Sequence, residues 1–144
     1  MTVKRATMEE TGLLAQLSLQ LWPGHDINEM TEEFSELLTQ TDTALFLAME
    51  GGAVGFAQCQ LRHDYVEGTD SSPVGYLEGI YVMETCRHRG IARALLAACE
   101  DWAREMECIE FASDCELTNK DSLAFHLNVG FEEVNRIICF TKKL

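Results

Sequence analysis

Apolar residues recur at helical spacing in two segments near the start of the chain. In the first segment they follow residues with capping-box spacing, Thr7 to Glu10, and the pattern stops at Trp22-Pro23-Gly24. In the second they follow Asn28, a residue type that caps helices, and stop near Thr39. The apolar positions are Leu13, Leu14, Leu17 and Leu21, then Met30, Phe34, Leu37 and Leu38. The sequence therefore predicts two amphipathic helices, with no strand before them.

The pattern then changes to apolar runs that are typical of strands. Thr43 to Met49 and Val54 to Leu61 flank the pair Gly51-Gly52, which is the order of a β-hairpin. The polar segment from Arg62 to Pro73 is long for a connection, and long loops often carry function. We therefore expect an antiparallel pair followed by a loop that is a candidate for part of a site.

A third strand and a long helix follow the polar segment. The strand covers Val74 to Val82 and is interrupted by Glu78-Gly79, and a glycine inside a strand commonly marks a bulge. The helix covers Gly90 to Met106, with an apolar stripe at Ile91, Leu95, Cys99, Trp102 and Met106. A short strand at Ile109 to Ala112 completes a unit that predicts a right-handed parallel crossover.

The rest of the chain predicts one more helix and one more strand. Asn119 to Val129 is the helix, closed by Gly130, and Glu133 to Thr141 is a strand rich in apolar residues. The predicted order α-α-β-β-β-α-β-α-β indicates an α/β (α+β) fold with a mixed central sheet flanked by helices. A chain of 144 residues predicts one domain, which we place over residues 1–144.

Charge and composition disfavour several classes of partner. The chain has 24 acidic residues against 11 Lys and Arg, a formal net charge of −13, which repels phosphate backbones and anionic lipid surfaces. We expect neither a nucleic acid nor a membrane partner. The sequence shows no signal-peptide pattern and no apolar segment of membrane-spanning length, so we expect a cytoplasmic protein.

The cysteines and histidines predict neither a disulfide framework nor a metal site. The six cysteines form no CxxC pair, and Cys59, Cys99 and Cys139 lie inside apolar runs typical of buried, reduced thiols. The four histidines lack the spacing that zinc sites favour. We therefore expect no metal.

The strongest chemical signal is a run of basic residues between the third strand and the long helix. Its residues are Arg87, His88, Arg89, Gly90, Ile91 and Ala92. Free backbone N–H groups at a helix N-terminus bind anions, and flanking cations strengthen such a site. The Walker and dinucleotide-binding glycine patterns are absent. We interpret the run as a compact diphosphate cradle, with a basic helix start that merely offsets nearby acids as the alternative.

Arg87-x-x-Gly90-x-Ala92 resembles the [Q/R]xxGx[G/A] acetyl-CoA motif of the GNAT N-acetyltransferase superfamily, and the order of elements resembles that acyl-CoA N-acyltransferase fold. Within it, the chain is similar to the aminoglycoside 6′-N-acetyltransferases. The matching segments are Leu21–His25, Arg62–Val66, Asp70–Pro73, Leu77–Val82 and Ala112–Asp114. The resemblance implies transfer of acetyl from acetyl-CoA to the 6′-amine of aminoglycoside antibiotics, which gives resistance, and it implies a homodimer to which Glu133–Thr141 contributes.

The resemblance also implies roles for single residues. The pantetheine arm would lie along the backbone of Ile80, Tyr81 and Val82, the pyrophosphate on the amides of Arg87 to Ala92, and Asn119 would also contact the cofactor. Trp22, Tyr65, Glu78 and Asp114 match positions that line the aminoglycoside cleft. His126 stands where the family often has a tyrosine general acid, four residues before the glycine that ends the helix. Asn135 stands where relatives have an acid that contacts substrate.

The residues themselves leave alternatives open. Glu78 lies within a strand of apolar neighbours and Asp114 immediately follows another strand. The pair predicts carboxylates in one cleft for an amine, or else ordinary solvated carboxylates. Trp22 is either a core residue or a cation–π surface, and Tyr65 lies in an acidic loop that is either a cation site or simply solvated. Alternative functions are therefore acetylation of another small polyamine or a peptide amine, or a non-catalytic acyl-CoA or polycation-binding module.

Overall fold

The computed structural model describes residues 1–144, and its strands form one mixed sheet. The strands are β1 Thr2–Arg5, β2 Thr43–Met49, β3 Ala53–Arg62, β4 Val74–Val82 and β5 Phe111–Ser113. They lie side by side in the order of the chain. The pairs β1–β2, β2–β3 and β3–β4 are antiparallel, and β5 is parallel to β4. The mixed sheet and the parallel β4–β5 pair confirm the prediction.

Four helices cover the two faces of this sheet. They are α1 Thr11–Leu21, α2 Ile27–Leu37, α3 Ile91–Glu105 and α4 Lys120–Asn128. Leu14 of α1 and Phe34 of α2 pack with Phe56 of β3 on one face, whereas Leu95 and Trp102 of α3 belong to a core on the other. None of the helices has the length and apolar character needed to cross a membrane.

Local sequence signals explain where the first helices begin. The Glu10 carboxylate accepts a hydrogen bond from the N–H of Thr7 at 2.9 Å, so the predicted capping box is present. The box opens a short 3₁₀ turn, Met8–Glu10, that leads into α1. Asp26, rather than the predicted Asn28, caps α2, because its carboxylate accepts from the amides of Asn28 and Glu29.

The predicted bulge lies in β4. Leu77 is opposite Cys59 and Gly79 is opposite Gln58, so Glu78 has no partner residue on β3. Leu77 and Ile80 both pack toward the α3 side, whereas a Cβ at Gly79 would point at Trp22 on the α1 side. The bulge therefore turns Glu78 and Gly79 toward the same face of the sheet.

Two predictions about the chain ends are wrong. The structure has a strand, β1, before the helices, and residues 131–144 contain no strand although Glu133 to Thr141 was predicted to be one. β1 was missed because it is only four residues long and half of it is Lys4 and Arg5. An apolar segment forms a stable strand only beside another strand. Residues 131–144 pair with no strand of this chain, because the edge strand β5 pairs only with β4. Cys139 is consequently exposed, not buried as predicted.

Candidate active site

The two candidate acids lie where β4 and β5 separate. Leu77 and Ser113 are the last paired residues of these parallel strands. Glu78 and Asp114 are the next residue on each strand, so the parallel register brings them to the same place at the edge of the sheet. Glu78 is partly buried and Asp114 is exposed.

Arg62, the last residue of β3, holds the carboxylate of Glu78. Its Nε and Nη2 donate to Oε1 at 3.0 and 2.8 Å, and Nη2 also donates to Oε2 at 3.0 Å. The guanidinium lies over the ring of Tyr76, with Cζ 3.4 Å from the ring centroid. The cation therefore contacts both an acid and an aromatic face.

Tyr76 connects this ion pair to the second acid. Its hydroxyl donates to Oδ2 of Asp114. Burial raises the pKa of the Tyr76 hydroxyl well above its usual range, and the hydrogen bond to Asp114 and the charge of Asp114 raise it further. Tyr76 therefore remains a neutral donor at physiological pH. Glu78, Arg62, Tyr76 and Asp114 form one connected polar array, in which Arg62 binds Glu78 and Tyr76 binds Asp114.

Trp22 lies directly beside this array. Its indole packs against the ring of Phe56, 6.0 Å between centroids, and covers Gly79, the residue after Glu78. The side chain is half-buried. Trp22 thus packs on the core and also leaves part of its surface open next to Glu78.

Tyr65 lies apart from the two acids. It is 77% exposed, and its hydroxyl accepts a hydrogen bond only from the N–H of Gly68 at 3.4 Å. The loop that carries it is anchored by Val66, which is buried against Val74 and Tyr76. Tyr65 is therefore largely solvent-exposed, and it makes no hydrogen bond with Glu78 or Asp114.

The same loop makes two more contacts. Glu110 accepts from the N–H of Asp70 and from the hydroxyl of Ser71, and the Ser71 bond lowers the pKa of Glu110 below its usual range. Asn135, on the other side, donates to Oε1 of Glu67 at 2.7 Å. The start of the C-terminal segment is thus fixed to the acidic loop.

His126 reaches the strand junction through Ser113. Its Nδ1 lies 2.7 Å from the carbonyl oxygen of Ser122, and because a carbonyl only accepts, Nδ1 carries a proton. Nε2 lies 2.8 Å from Oγ of Ser113, which is 3.3 Å from the carbonyl oxygen of Leu77. The imidazole is therefore one hydroxyl away from the point where β4 and β5 separate.

The N-terminus of α3 offers a row of free amides. No acceptor in the chain bonds the N–H groups of residues 88–93, and no side chain caps the helix. His88 and Gly90 have φ of 60° and 82°, which turn the loop into the helix. The arrangement suits an anionic group such as a diphosphate, because oriented N–H donors and the helix dipole both favour negative charge.

The basic side chains of this loop are partly occupied. Arg87 donates through Nε to the carbonyl oxygen of Val82 at 2.8 Å, and Arg89 pairs with both oxygens of Glu50 at 2.6 and 2.8 Å. This ion pair lowers the pKa of Glu50. Arg87 keeps its two Nη groups for a ligand, whereas Arg89 would have to share its charge with Glu50.

The edge of β4 between the acids and this loop is open. Ile80, Tyr81 and Val82 pair with β3 on one side and have no strand on the other, because β5 ends at Ser113. Asn119 lies at the N-cap of α4, where its side-chain oxygen accepts from the N–H of Ser122 at 3.1 Å. The unpaired edge of β4 at residues 80–82 thus forms an open strip between Glu78 and the α3 amides, in which only the Val82 carbonyl is already bonded, by Arg87.

Comparison with known proteins identifies the family. A model of the acetyltransferase (GNAT) family matches residues 13–131. The chain belongs to this family. It is therefore an acyltransferase that uses acetyl-CoA, and its mixed sheet with flanking helices is the fold of the family.

The similar proteins narrow the family further. The chain is 44% identical over 145 residues to an aminoglycoside N(6′)-acetyltransferase type 1 of Stenotrophomonas maltophilia, covering 99% of this chain and 94% of that protein. A Salmonella typhimurium enzyme of the same name is 44% identical, with 88% of each chain covered. Among solved structures, AAC(6′)-Iy in complex with the bisubstrate analogue CoA-S-monomethyl-acetylneamine is 40% identical in sequence and superposes with a TM-score of 0.95. The match covers 99% of this chain and 98% of that chain. AAC(6′)-Ih of Acinetobacter baumannii is 34% identical with a TM-score of 0.94 and the same coverages.

Three residues of the site were missed by sequence reasoning. Tyr76 shares a strand face with Glu78, so strand alternation offered a signal for it. Arg62 ends the strand that pairs with β4, but nothing in the sequence sets its partner. Ser113 lies between the predicted Ala112 and Asp114, and only the position of α4 reveals its contact with His126.

Proposed function

We propose that this chain transfers the acetyl group of acetyl-CoA to the 6′-amine of aminoglycoside antibiotics and so gives resistance to them. The observation that carries the proposal is the open strip of β4, which joins the free amides at α3 to Glu78 and Asp114. An anionic carrier fits one end of this strip and a polycationic acceptor fits the other. The names of the similar proteins supply the acceptor class.

The cofactor contacts follow from the same strip. We assign the pyrophosphate to the amides of Arg87 to Ala92, the pantetheine arm to the backbone of Ile80, Tyr81 and Val82, and a further contact to Asn119. Acetyl-CoA supplies an acetyl thioester, which reacts with a neutral amine. The α3 amides and the Nη groups of Arg87 bind and orient acetyl-CoA. Because the carbonyl oxygen of Val82 already accepts from Nε of Arg87, this bond also holds Arg87 beside the pantetheine arm.

Glu78 and Asp114 act on the acceptor. Glu78 adjoins the open strip, so we assign it to orient the 6′-amine and accept its proton, directly or through one water. Asp114, exposed at the end of β5, anchors the aminosugar. Trp22 offers the face beside Gly79, and Tyr65 contacts the outer part of the substrate from the loop.

His126 and Ser113 are assigned to the leaving thiolate. When His126 is an imidazolium, Nε2–H donates to Oγ of Ser113, and the serine hydroxyl proton is free to pass to the sulfur. Ser113 then takes the Nε2 proton, which leaves a neutral imidazole with its proton on Nδ1. This route replaces a direct tyrosine donor.

Release of free thiol from acetyl-CoA tests the proposal. We expect release with kanamycin or tobramycin, little with spermidine, and none above background with an aminoglycoside that carries a 6′-hydroxyl. Glu78→Gln is expected to lower kcat and Asp114→Asn to raise the aminoglycoside KM, each changing kcat/KM by at least about tenfold. Glu105→Gln, which removes an exposed acid of α3, is the charge-matched control. Stronger release with spermidine would favour a general polyamine acetyltransferase, and binding without release a non-catalytic module.

We further propose that the protein is a cytoplasmic homodimer without nucleic acid or membrane partners. The C-terminal segment supports the dimer, because Val134, Ile137, Ile138 and Phe140 are 61% to 91% exposed in a single chain. We assign 133–141 to strand pairing with a second copy. Light scattering of Ile138→Asp is expected to show a monomer where the native protein is a dimer, with Met8→Asp as a control at another exposed apolar residue. A dimeric Ile138→Asp protein would contradict this assignment.

A further inference from the structure

We propose that Arg62 is a positioning residue for the acetyl transfer, which fixes the Glu78 carboxylate so that Oε2 faces the incoming amine. This inference rests on the proposed function and adds a residue to it. Arg62 belongs to the last rung of the β3–β4 pair, opposite Val74, so its backbone is held by the sheet and not by the loop that follows. The side chain thus starts from a rigid point.

The hydrogen bonds distinguish the two oxygens of Glu78. Oε1 accepts from both Nε and Nη2, whereas Oε2 accepts only from Nη2. The Nη2–H that faces the carboxylate is shared between both oxygens, and Oε1 also accepts from Nε, so Oε2 is the less engaged of the two acceptors. The ion pair therefore favours Oε2 as the oxygen that receives the amine proton.

The stacking fixes the guanidinium itself. Its Cζ is 3.4 Å from the centroid of the Tyr76 ring, and that ring is held in turn by the bond from its hydroxyl to Asp114. A planar guanidinium that is hydrogen-bonded to a carboxylate along one edge and stacked on an aromatic ring has little rotational freedom. A lysine ammonium, which is not planar, would not be fixed in this way. Arg62 thus transmits the rigidity of the sheet to Glu78.

The opposite role is that of an internal competitor. In that role the Arg62 guanidinium neutralises the Glu78 carboxylate, to which an ammonium group of the substrate could otherwise bind. Arg62 would then have to separate from Glu78 when the substrate binds. Three hydrogen bonds and a stacked face argue that Arg62 stays, because a single ammonium replaces neither the planar fork nor the stacking. Because Oε2 is the less engaged acceptor, departure is also unnecessary.

Steady-state kinetics of Arg62→Met and Arg62→Lys separate the two roles. With tobramycin, Arg62→Met is expected to lower kcat by at least about tenfold and to change the aminoglycoside KM by less than about threefold. Arg62→Lys restores the charge but not the fork, so we expect it to recover only part of kcat. A lower KM with unchanged kcat in Arg62→Met would identify a competitor and overturn the proposal. Arg104→Met, which breaks exposed ion pairs on α3, is the matched control.

Two more measurements exclude a merely structural role. In a Glu78→Gln background, Arg62→Met is expected to lower kcat no further than about twofold, because both changes remove one function. A crystal structure of Arg62→Met is expected to show the Glu78 carboxylate rotated from its present position. If the Glu78 carboxylate has not moved in that crystal structure, the proposal for Arg62 is wrong, whatever the native enzyme acetylates. If the native enzyme does not acetylate aminoglycosides, the proposed function is wrong.

Discussion

The indole of Trp22 lies so close to Gly79 that this position has no room for a side chain. A Cβ on Gly79 would be 2.6 Å from Cζ2 and 2.7 Å from Cη2 of the ring. The glycine of the bulge is thus required by close approach and not by a left-handed backbone. It sets the distance between the ring and the strand that carries Glu78.

Gly79→Ala is expected to push the Trp22 ring away from β4. Overpacking of this kind costs about 1–3 kcal/mol, and the displaced ring no longer borders the acid. We expect a lower free energy of unfolding in urea and a raised aminoglycoside KM. Gly52→Ala is the control, because a Cβ there meets nothing within 4 Å. If both variants have the same free energy of unfolding and the same aminoglycoside KM, the Trp22 ring does not pack directly against Gly79.

Gly90→Val tests the cofactor cradle at α3. Gly90 has φ of +82°, and a Cβ there meets nothing in the chain, so the added side chain points into space assigned to the pyrophosphate. We expect the KM for acetyl-CoA to rise on the order of tenfold, with a smaller change in the aminoglycoside KM.

Gly51→Val matches the backbone cost of this change. Its φ is +71° and its surroundings are equally open, so both variants lose about 1–2 kcal/mol through the left-handed conformation. A folded Gly90→Val protein with the acetyl-CoA KM of Gly51→Val would remove the pyrophosphate from this loop.

The fold was largely predictable from the sequence because most of its signals are local. The Glu78-Gly79 break predicted the bulge, and the apolar stripe that begins at Ile91 predicted α3. The errors concern segments whose structure depends on a distant partner: β1 needs β2, and the C-terminal segment has no partner strand in its own chain. The same distinction holds for the site, where the parallel register brings Glu78 and Asp114 together but side-chain reach alone brings Arg62.

Ser113→Ala tests the proton route from His126. The change removes the hydroxyl between Nε2 and the strand junction while leaving the imidazole bonded to the Ser122 carbonyl. We expect kcat to fall by about a hundredfold, the lower end of the range of general acid catalysis, with acetyl-CoA KM nearly unchanged. His126→Phe should have an effect of similar size, and the double variant no more. Additive losses would show that the two residues act separately.

Tyr76 predicts a loss of stability at alkaline pH. Its pKa is raised in the folded protein, chiefly by burial, so the folded state holds the phenol proton more tightly than the unfolded state, whose tyrosines titrate near about pH 10. The resulting stabilisation is complete below that pH and decreases as pH rises through the folded pKa. Urea unfolding from neutral to alkaline pH is expected to show this decrease in the native protein and a smaller one in Tyr76→Phe. If the free energy of unfolding falls equally with pH in the native protein and in Tyr76→Phe, the loss of stability does not come from Tyr76.

The bulge in β4 means that Glu78 is surplus to the packing of its own strand. Leu77, Ile80 and Val82 face the α3 core, and Tyr76, Gly79 and Tyr81 the other side. Removal of residue 78 would leave these six in unbroken alternation. The packing of the hydrophobic core therefore does not depend on the side chain at this position, which is bound instead by Arg62. A chain one residue shorter there would keep the alternation of apolar residues along the strand and lose the carboxylate.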